Sequence, residues 1–253
     1  MIGPGLYGFA SAHGAPELTG ALREALTTSR GYVHALRSDD RARWCVGHVH
    51  LECIEQGTAD TGTPMPGWVH GTIENLSALQ AEIGIGLPPN ASQVTVLGTL
   101  FRQIGRGVLA RLRGAFCAVL VDEDSKTIHL VNDRLGSYPL YWFAGDARFV
   151  FASSASELSA LVGGAVDVDV EAVMELLRYG FVMQERTLRQ QMSLLGPGRV
   201  RTFCWETGTS AESVYFDPSD WFADDGQTSS IDECIEAFNN AVASSALSAN
   251  RSH

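Results

Sequence analysis

An α+β fold built on antiparallel sheet is what this sequence predicts, and three observations carry the prediction. The first is a hairpin: residues 115–121 and 127–132 are apolar runs rich in β formers, joined by the short acidic turn 122–126. The second is that short β runs recur along the chain, at 44–54, 68–73, 140–143, 149–153 and 200–205. The third is that helical spacing falls between blocks of strands instead of alternating with them one by one, which argues against a doubly wound parallel sheet.

Taken in order, the Gly-rich start contains a first strand at 5–9. Leu18, Leu22 and Leu26 at fourfold steps predict a surface helix over 17–29. A loop of Gly, Thr and Pro at 58–67 separates the strand at 44–54 from that at 68–73, and a helical turn or two follows at 76–82. Val96, Leu97, Leu100, Phe101, Ile104 and Val108 fit an amphipathic helix over 92–112, interrupted near Gly105 and Gly107. After the hairpin, Asp133 to Tyr138 form a polar turn that must leave the α region before Pro139. Arg134 is expected to hold this turn through an ion pair. A short helix at 157–161 ends at Gly163 and Gly164, and 170–179 and 231–249 are amphipathic helices. The acidic, aromatic stretch 215–227 reads as a linker.

A chain of 253 residues with 45% hydrophobic content can bury a real core. A formal charge of -11 with no cluster of Lys and Arg argues against nucleic acid. No apolar run approaches the roughly 20 residues that span a bilayer, and no basic segment leads into an apolar core at the N-terminus, so neither a membrane nor a secretory role is expected and the cytoplasm is. The cysteines Cys45, Cys53, Cys117, Cys204 and Cys234 are odd in number and scattered, which predicts free thiols. Cys45, His48, His50 and Cys53 suggest a metal cluster, with His70 as a recruit. In a strand, however, residues 48 and 50 share one face while 45 and 53 point to the other, so no metal site is expected.

Several blocks then resemble one family. Residues 112–122 (LRGAFCAVLVD), 131–141 (VNDRLGSYPLY) and 151–154 (FASS) are similar to successive blocks of the glutamine amidotransferase half of asparagine synthetases. Residues 68–75 (WVHGTIEN) with Leu79 resemble that family's oxyanion-strand block, and 194–198 (LLGPG) the block that closes the domain. The resemblance covers most of residues 1–216 in order and spacing. It implies an α+β, four-layer αββα sandwich of two antiparallel sheets, the fold of N-terminal-nucleophile hydrolases. It also implies a domain at 1–216, with 217–253 as linker and first helix of a C-terminal ATP-dependent synthetase domain.

The family's chemistry needs an N-terminal cysteine whose own amine serves as base, an oxyanion donor, an arginine for the substrate carboxylate and an acid for its amine. Position 2 is Ile2, and an aliphatic side chain cannot attack a carbonyl. By the same resemblance the oxyanion Asn becomes His70 beside Gly71, the carboxylate-binding Arg becomes His50, and the amine-binding Asp falls at Gln93, with Asn75 completing a vestigial pocket. Gly71 keeps a backbone N–H able to donate. The expectation is therefore a glutaminase-like domain without glutaminase activity, serving as a structural or docking domain, as in β-lactam synthetases and lasso peptide cyclases. No cofactor is expected in this chain. ATP and Mg belong to the C-terminal domain, present in cis or as a separate chain, together with its carboxylate or peptide substrate. The alternative is an active amidotransferase or hydrolase using His50 and His70 on a substrate other than glutamine.

Overall fold

The computed structural model describes residues 3–27, 32–51, 65–88, 91–145, 147–163, 167–222 and 230–249. Eleven strands among them form two antiparallel sheets. The first has six: β1 (Gly5–Ser11), β2 (Tyr32–Ser38), β3 (Trp44–Leu51), β7 (Tyr141–Gly145), β8 (Arg148–Ala152) and β9 (Met192–Leu194), in the order β2-β3-β1-β8-β7-β9. The second has five: β4 (Gly67–Ile73), β5 (Gly114–Asp122), β6 (Thr127–Asn132), β10 (Arg199–Cys204) and β11 (Thr209–Val214), in the order β11-β10-β6-β5-β4. The expected hairpin is β5–β6, with Asp122 opposite Thr127 and its carboxylate accepting from the backbone N–H of Asp124 and Ser125 in the turn.

Alternation along the strands sorts side chains into three apolar layers, as the twofold period of a strand requires. Between the sheets lie Leu6, Trp44, Val46, Trp68, Val119, Leu130, Trp142, Phe149 and Phe203. Phe149 of β8 stacks on Phe203 of β10 with ring centroids 5.3 Å apart, tying one sheet to the other. Outside the first sheet, Leu18, Leu22 and Leu26 of α1 (Pro16–Thr27) and Leu158 of α4 (Ala155–Val162) cover Phe9, Cys45 and Val150. Outside the second, α2 (Leu76–Ile83) and α3 (Gln93–Ile104) cover Val69, Phe116 and Leu120. The result is the expected four-layer αββα sandwich, and β1, at its centre, is buried along its whole length.

Local signals account for the helix ends. Ser92 caps α3, its hydroxyl accepting from the backbone N–H of Thr95 at 3.3 Å. At Gly105 the α-helix stops and a 3-10 segment, Gly105–Arg111, replaces its last turns, where two glycines had predicted the interruption. Asp169 caps α5 (Val170–Tyr179) by accepting from Ala172 at 3.0 Å, and Gly180 closes it in the left-handed conformation.

The turn after β6 is built differently from the expectation. The carboxylate of the buried Asp133 accepts from the backbone N–H groups of Phe116, Leu135 and Ser137, so one side chain organises the whole turn. Arg134 is not its partner: it donates to the Ala110 carbonyl at 2.6 Å and lies over the Phe216 ring. Two amphipathic helices leave their apolar sides uncovered, α5 and α6 (Ile231–Ala249). Of the expected linker, residues 223–229 lie outside the described residues, and 218–222 form a 3-10 turn. Among the described residues no helix is long and apolar enough to cross a membrane.

Candidate functional site

The site residues gather where β3 of the first sheet crosses β4 of the second. On β3 the even positions, Trp44, Val46, His48 and His50, face the other sheet, whereas Cys45 and Val49 face α1. On β4, Trp68 and His70 face inward in the same way. His48 Nε2 and His70 Nδ1 are 3.2 Å apart, a hydrogen bond in which one imidazole donates to the other across the sheets. The His50 ring lies 5.1 Å from that of His48, and Trp68 5.6 Å from it. Tyr138, from the polar turn, meets the His70 ring edge-on at 4.8 Å, and the guanidinium of Arg37 on β2 lies over Trp68. Sequence reasoning placed His50 and His70 in one pocket. The structure adds His48 as the direct partner of His70, and Trp68, Tyr138 and Arg37 around them. Strand parity held the signal for His48, which shares a face with His50.

Burial and the neighbouring imidazoles act together on the pair. His48, 1% exposed, is held at a pKa of about 3 by burial first and then by His70 and His50. His70 is lowered by burial and by His50. Imidazoles of such low basicity remain neutral near pH 7 and are weak proton acceptors there.

The other expected pocket residues are engaged by the frame of the fold. Gln93, at the start of α3, accepts from the Ile73 N–H through Oε1 at 2.7 Å and donates from Nε2 to the Gly71 carbonyl at 3.2 Å. Its amide thus fixes β4 on the side away from β5. Asn75 donates to the Arg111 carbonyl and accepts from the Arg113 N–H, both at 2.8 Å, joining the end of β4 to the approach of β5. Gly71 adopts φ +94°, and a Cβ there would meet the Ala115 carbonyl at 2.3 Å and the Tyr138 ring at 2.6 Å, so the position admits only glycine. Replacing Gln93 with leucine removes both bonds to β4 and leaves a peptide N–H without its acceptor. The expected result is a loss of about 1–3 kcal/mol in urea unfolding, and an unchanged midpoint would show the bonds to be dispensable.

Ile2 and Cys53 lie outside the described residues. Cys45 turns away from the histidines into the layer under α1, as strand parity required. Among the described residues no three His, Cys, Asp or Glu side chains are grouped so as to hold a metal ion. A cavity of about 620 Å³ that the sequence did not announce lies elsewhere, beside β7 and β9, lined by Tyr141, Ser156, Arg186, Thr187, Arg189 and Leu194 among others. Arg186 there is bound to Glu171 and Glu175, at 3.0 and 3.2 Å.

Residues 68–216, which carry β4 through β11 and the turn after β6, match the family model described as a glutamine amidotransferase domain, over more than half of the chain. The chain belongs to this family. Among curated proteins, this amidotransferase domain is similar to "Asparagine synthetase [glutamine-hydrolyzing] 1" of Bacillus subtilis (strain 168), 25% identical over 135 residues, which are 52% of this chain and 21% of that protein. Among solved structures it is similar to the glutamine phosphoribosylpyrophosphate amidotransferase from B. subtilis, with a TM-score of 0.56 at 13% identity over 83% of this chain and 49% of that one. A structure titled as the allosteric regulatory enzyme of purine biosynthesis gives a TM-score of 0.55 at 15% identity, over 83% of this chain and 48% of that one. These two likenesses establish the two-sheet fold. The amidotransferase domain spans about half the length of the solved relatives and about a fifth of the asparagine synthetase.

Proposed function

We propose that this amidotransferase domain has no glutaminase activity and serves as a structural or docking domain of an asparagine synthetase-like, ATP-dependent amide-forming protein of the β-lactam synthetase or lasso cyclase type. In this reading residues 1–216 are the domain, and 217–253 are the linker and first helix of a following synthetase domain. ATP, Mg and a carboxylate or peptide substrate bind to that domain, in the cytoplasm, in cis or on a separate chain. The observation that carries the reading is Gln93. At the position where the family's resemblance expects an acid for the substrate amine stands a neutral amide, closed on the backbone of β4 and so unable to pair with a cation. Ile2 in the nucleophile's place and the neutral His48–His70 pair beside Gly71 support it. The pair's weak basicity also counts against acid–base work on some other amide.

The test is ammonia release from glutamine by the purified chain. Release at the level of a buffer control is expected. Turnover that scales with protein concentration and is lost in a His70→Ala variant would overturn the proposal in favour of an active amidohydrolase.

A further inference from the structure

A smaller cavity lies on the other side of the second sheet from the histidines. Along β5 the even positions face α3 and the odd ones face the first sheet, so Phe116 belongs to the outer layer, whereas Cys117, opposite His70, lies between the sheets. Where β5 begins, Leu112, Arg113, Phe116, Asp133, Arg134 and Leu135 line a cavity of about 220 Å³. Leu112 and Phe116 are buried and give it an apolar floor, while Leu135 is exposed at its rim.

Two arginines line this cavity, and neither meets a carboxylate among the described residues. The chain carries 29 acidic residues against 18 Lys and Arg, and nearby arginines draw on that excess: Arg102 pairs with Asp124, and Arg111 with Glu82. Arg113 is exposed and its guanidinium has no partner among the described residues. Arg134 donates from one Nη to the Ala110 carbonyl and lies over the Phe216 ring, yet its Nε–H is buried without an acceptor. A buried donor left open is costly, so an orphaned guanidinium N–H marks the place of a missing acceptor. Asp133 does not fill it, because its carboxylate already takes the N–H groups of Phe116, Leu135 and Ser137. Two guanidinium charges against one engaged carboxylate leave the cavity positive on an acidic chain.

Size and lining narrow the ligand. The volume falls below the roughly 300–1,000 Å³ of sites for drug-sized molecules, so the occupant is a small group. A wholly polar anion would leave Leu112 and Phe116 without contacts. A carboxylate on a short aliphatic stem meets both demands, with its oxygens accepting from the guanidinium groups and its methylenes on the apolar floor.

We propose that this cavity binds a carboxylate borne on a short aliphatic stem, with Arg113 and Arg134 as its donors. A free short-chain acid and the glutamate side chain of a partner share that chemistry. The site goes beyond the functional reading above and does not depend on it, since it lies outside the pocket of His48 and His70.

Amide NMR spectra of the full chain test it, with sodium butyrate as the probe and ionic strength held constant with sodium chloride. Saturable shifts of the Gly114 and Leu135 signals are expected. Butyramide, equal in size but uncharged, is expected to bind at least about tenfold more weakly, and Arg113→Gln to weaken butyrate by about as much. Arg113 is exposed, and an otherwise unchanged spectrum checks that the fold persists. Glutamate blocked as its N-acetyl α-amide separates the two sources. Binding at least as tight as butyrate supports a partner's side chain, and weaker binding supports a free acid. The proposal is overturned if neither probe gives saturable shifts at Gly114 and Leu135 up to tens of millimolar. It is also overturned if butyramide matches butyrate, or if Arg113→Gln leaves the affinity unmoved.

Discussion

Replacing Asp133 with alanine lowers the stability of the domain by about 3–5 kcal/mol, the sum expected when several buried donors lose one shared acceptor. The carboxylate is 2% exposed and receives the N–H groups of Phe116, Leu135 and Ser137 at 3.0, 2.8 and 3.1 Å. These belong to β5 and to the turn that delivers Tyr138 to the histidines, so the loss is not confined to a surface loop. Asp133→Asn restores part of it, because one amide oxygen can still accept while the NH2 group faces other donors. Urea unfolding with an unchanged slope reads the difference from the midpoint. A change below about 1 kcal/mol for the alanine variant would show that the turn is held by its backbone alone.

The second large effect is acid sensitivity. His48 and His129 are both buried, and their pKa values are held at about 3 and about 4, in each case by burial first. His129 sits between the hydroxyls of Thr127 and Thr202, at 3.1 and 2.9 Å. Because the folded values lie below the unfolded value of about 6.5, the unfolded chain binds more protons between them. Stability from these groups is therefore complete above about pH 6.5, falls as the pH drops through the window, and is exhausted below the folded values. With two such groups the slope reaches about 2.7 kcal/mol per pH unit between roughly pH 6 and 4.5. Urea midpoints measured across that range give the slope directly, and His129→Gln is expected to remove about half of it. A native chain whose midpoint is flat from pH 7 to 4.5 would mean that these imidazoles are protonated without harm.

What the sequence showed and what it hid separates along physical lines. Strands covered on both faces, such as β5 and β6, were legible as apolar runs, and so were the helices with their leucines in register. The strands not foreseen, β2, β9 and β11, are all at sheet edges, where β2 carries His34, Arg37 and Ser38 and β11 is a polar run of Thr, Ser and Glu. An edge strand needs little apolar pattern, and β9 has only three residues, too few for any period to register. The helix at 170–179 was read with the right limits, yet its apolar stripe faces out, which no periodicity can reveal. At the site, His70, Gly71, Asn75 and Gln93 were all named from the sequence. Their arrangement was not, because the direct partner of His70 comes from another sheet, and Gln93 and Asn75 bond to backbone atoms that only the fold brings near.

The order of strands in the first sheet has a consequence for how the chain assembles. β1 runs between β3 and β8, and the Leu6 N–H reaches the hydroxyl of Ser153 across 147 positions of sequence. The innermost strand therefore waits for a neighbour that leaves the ribosome late, and the early segments emerge before their sheet can close. Such distant pairing raises contact order and slows folding, exposing the nascent N-terminal strand to chaperones for longer than a locally wired domain of the same size.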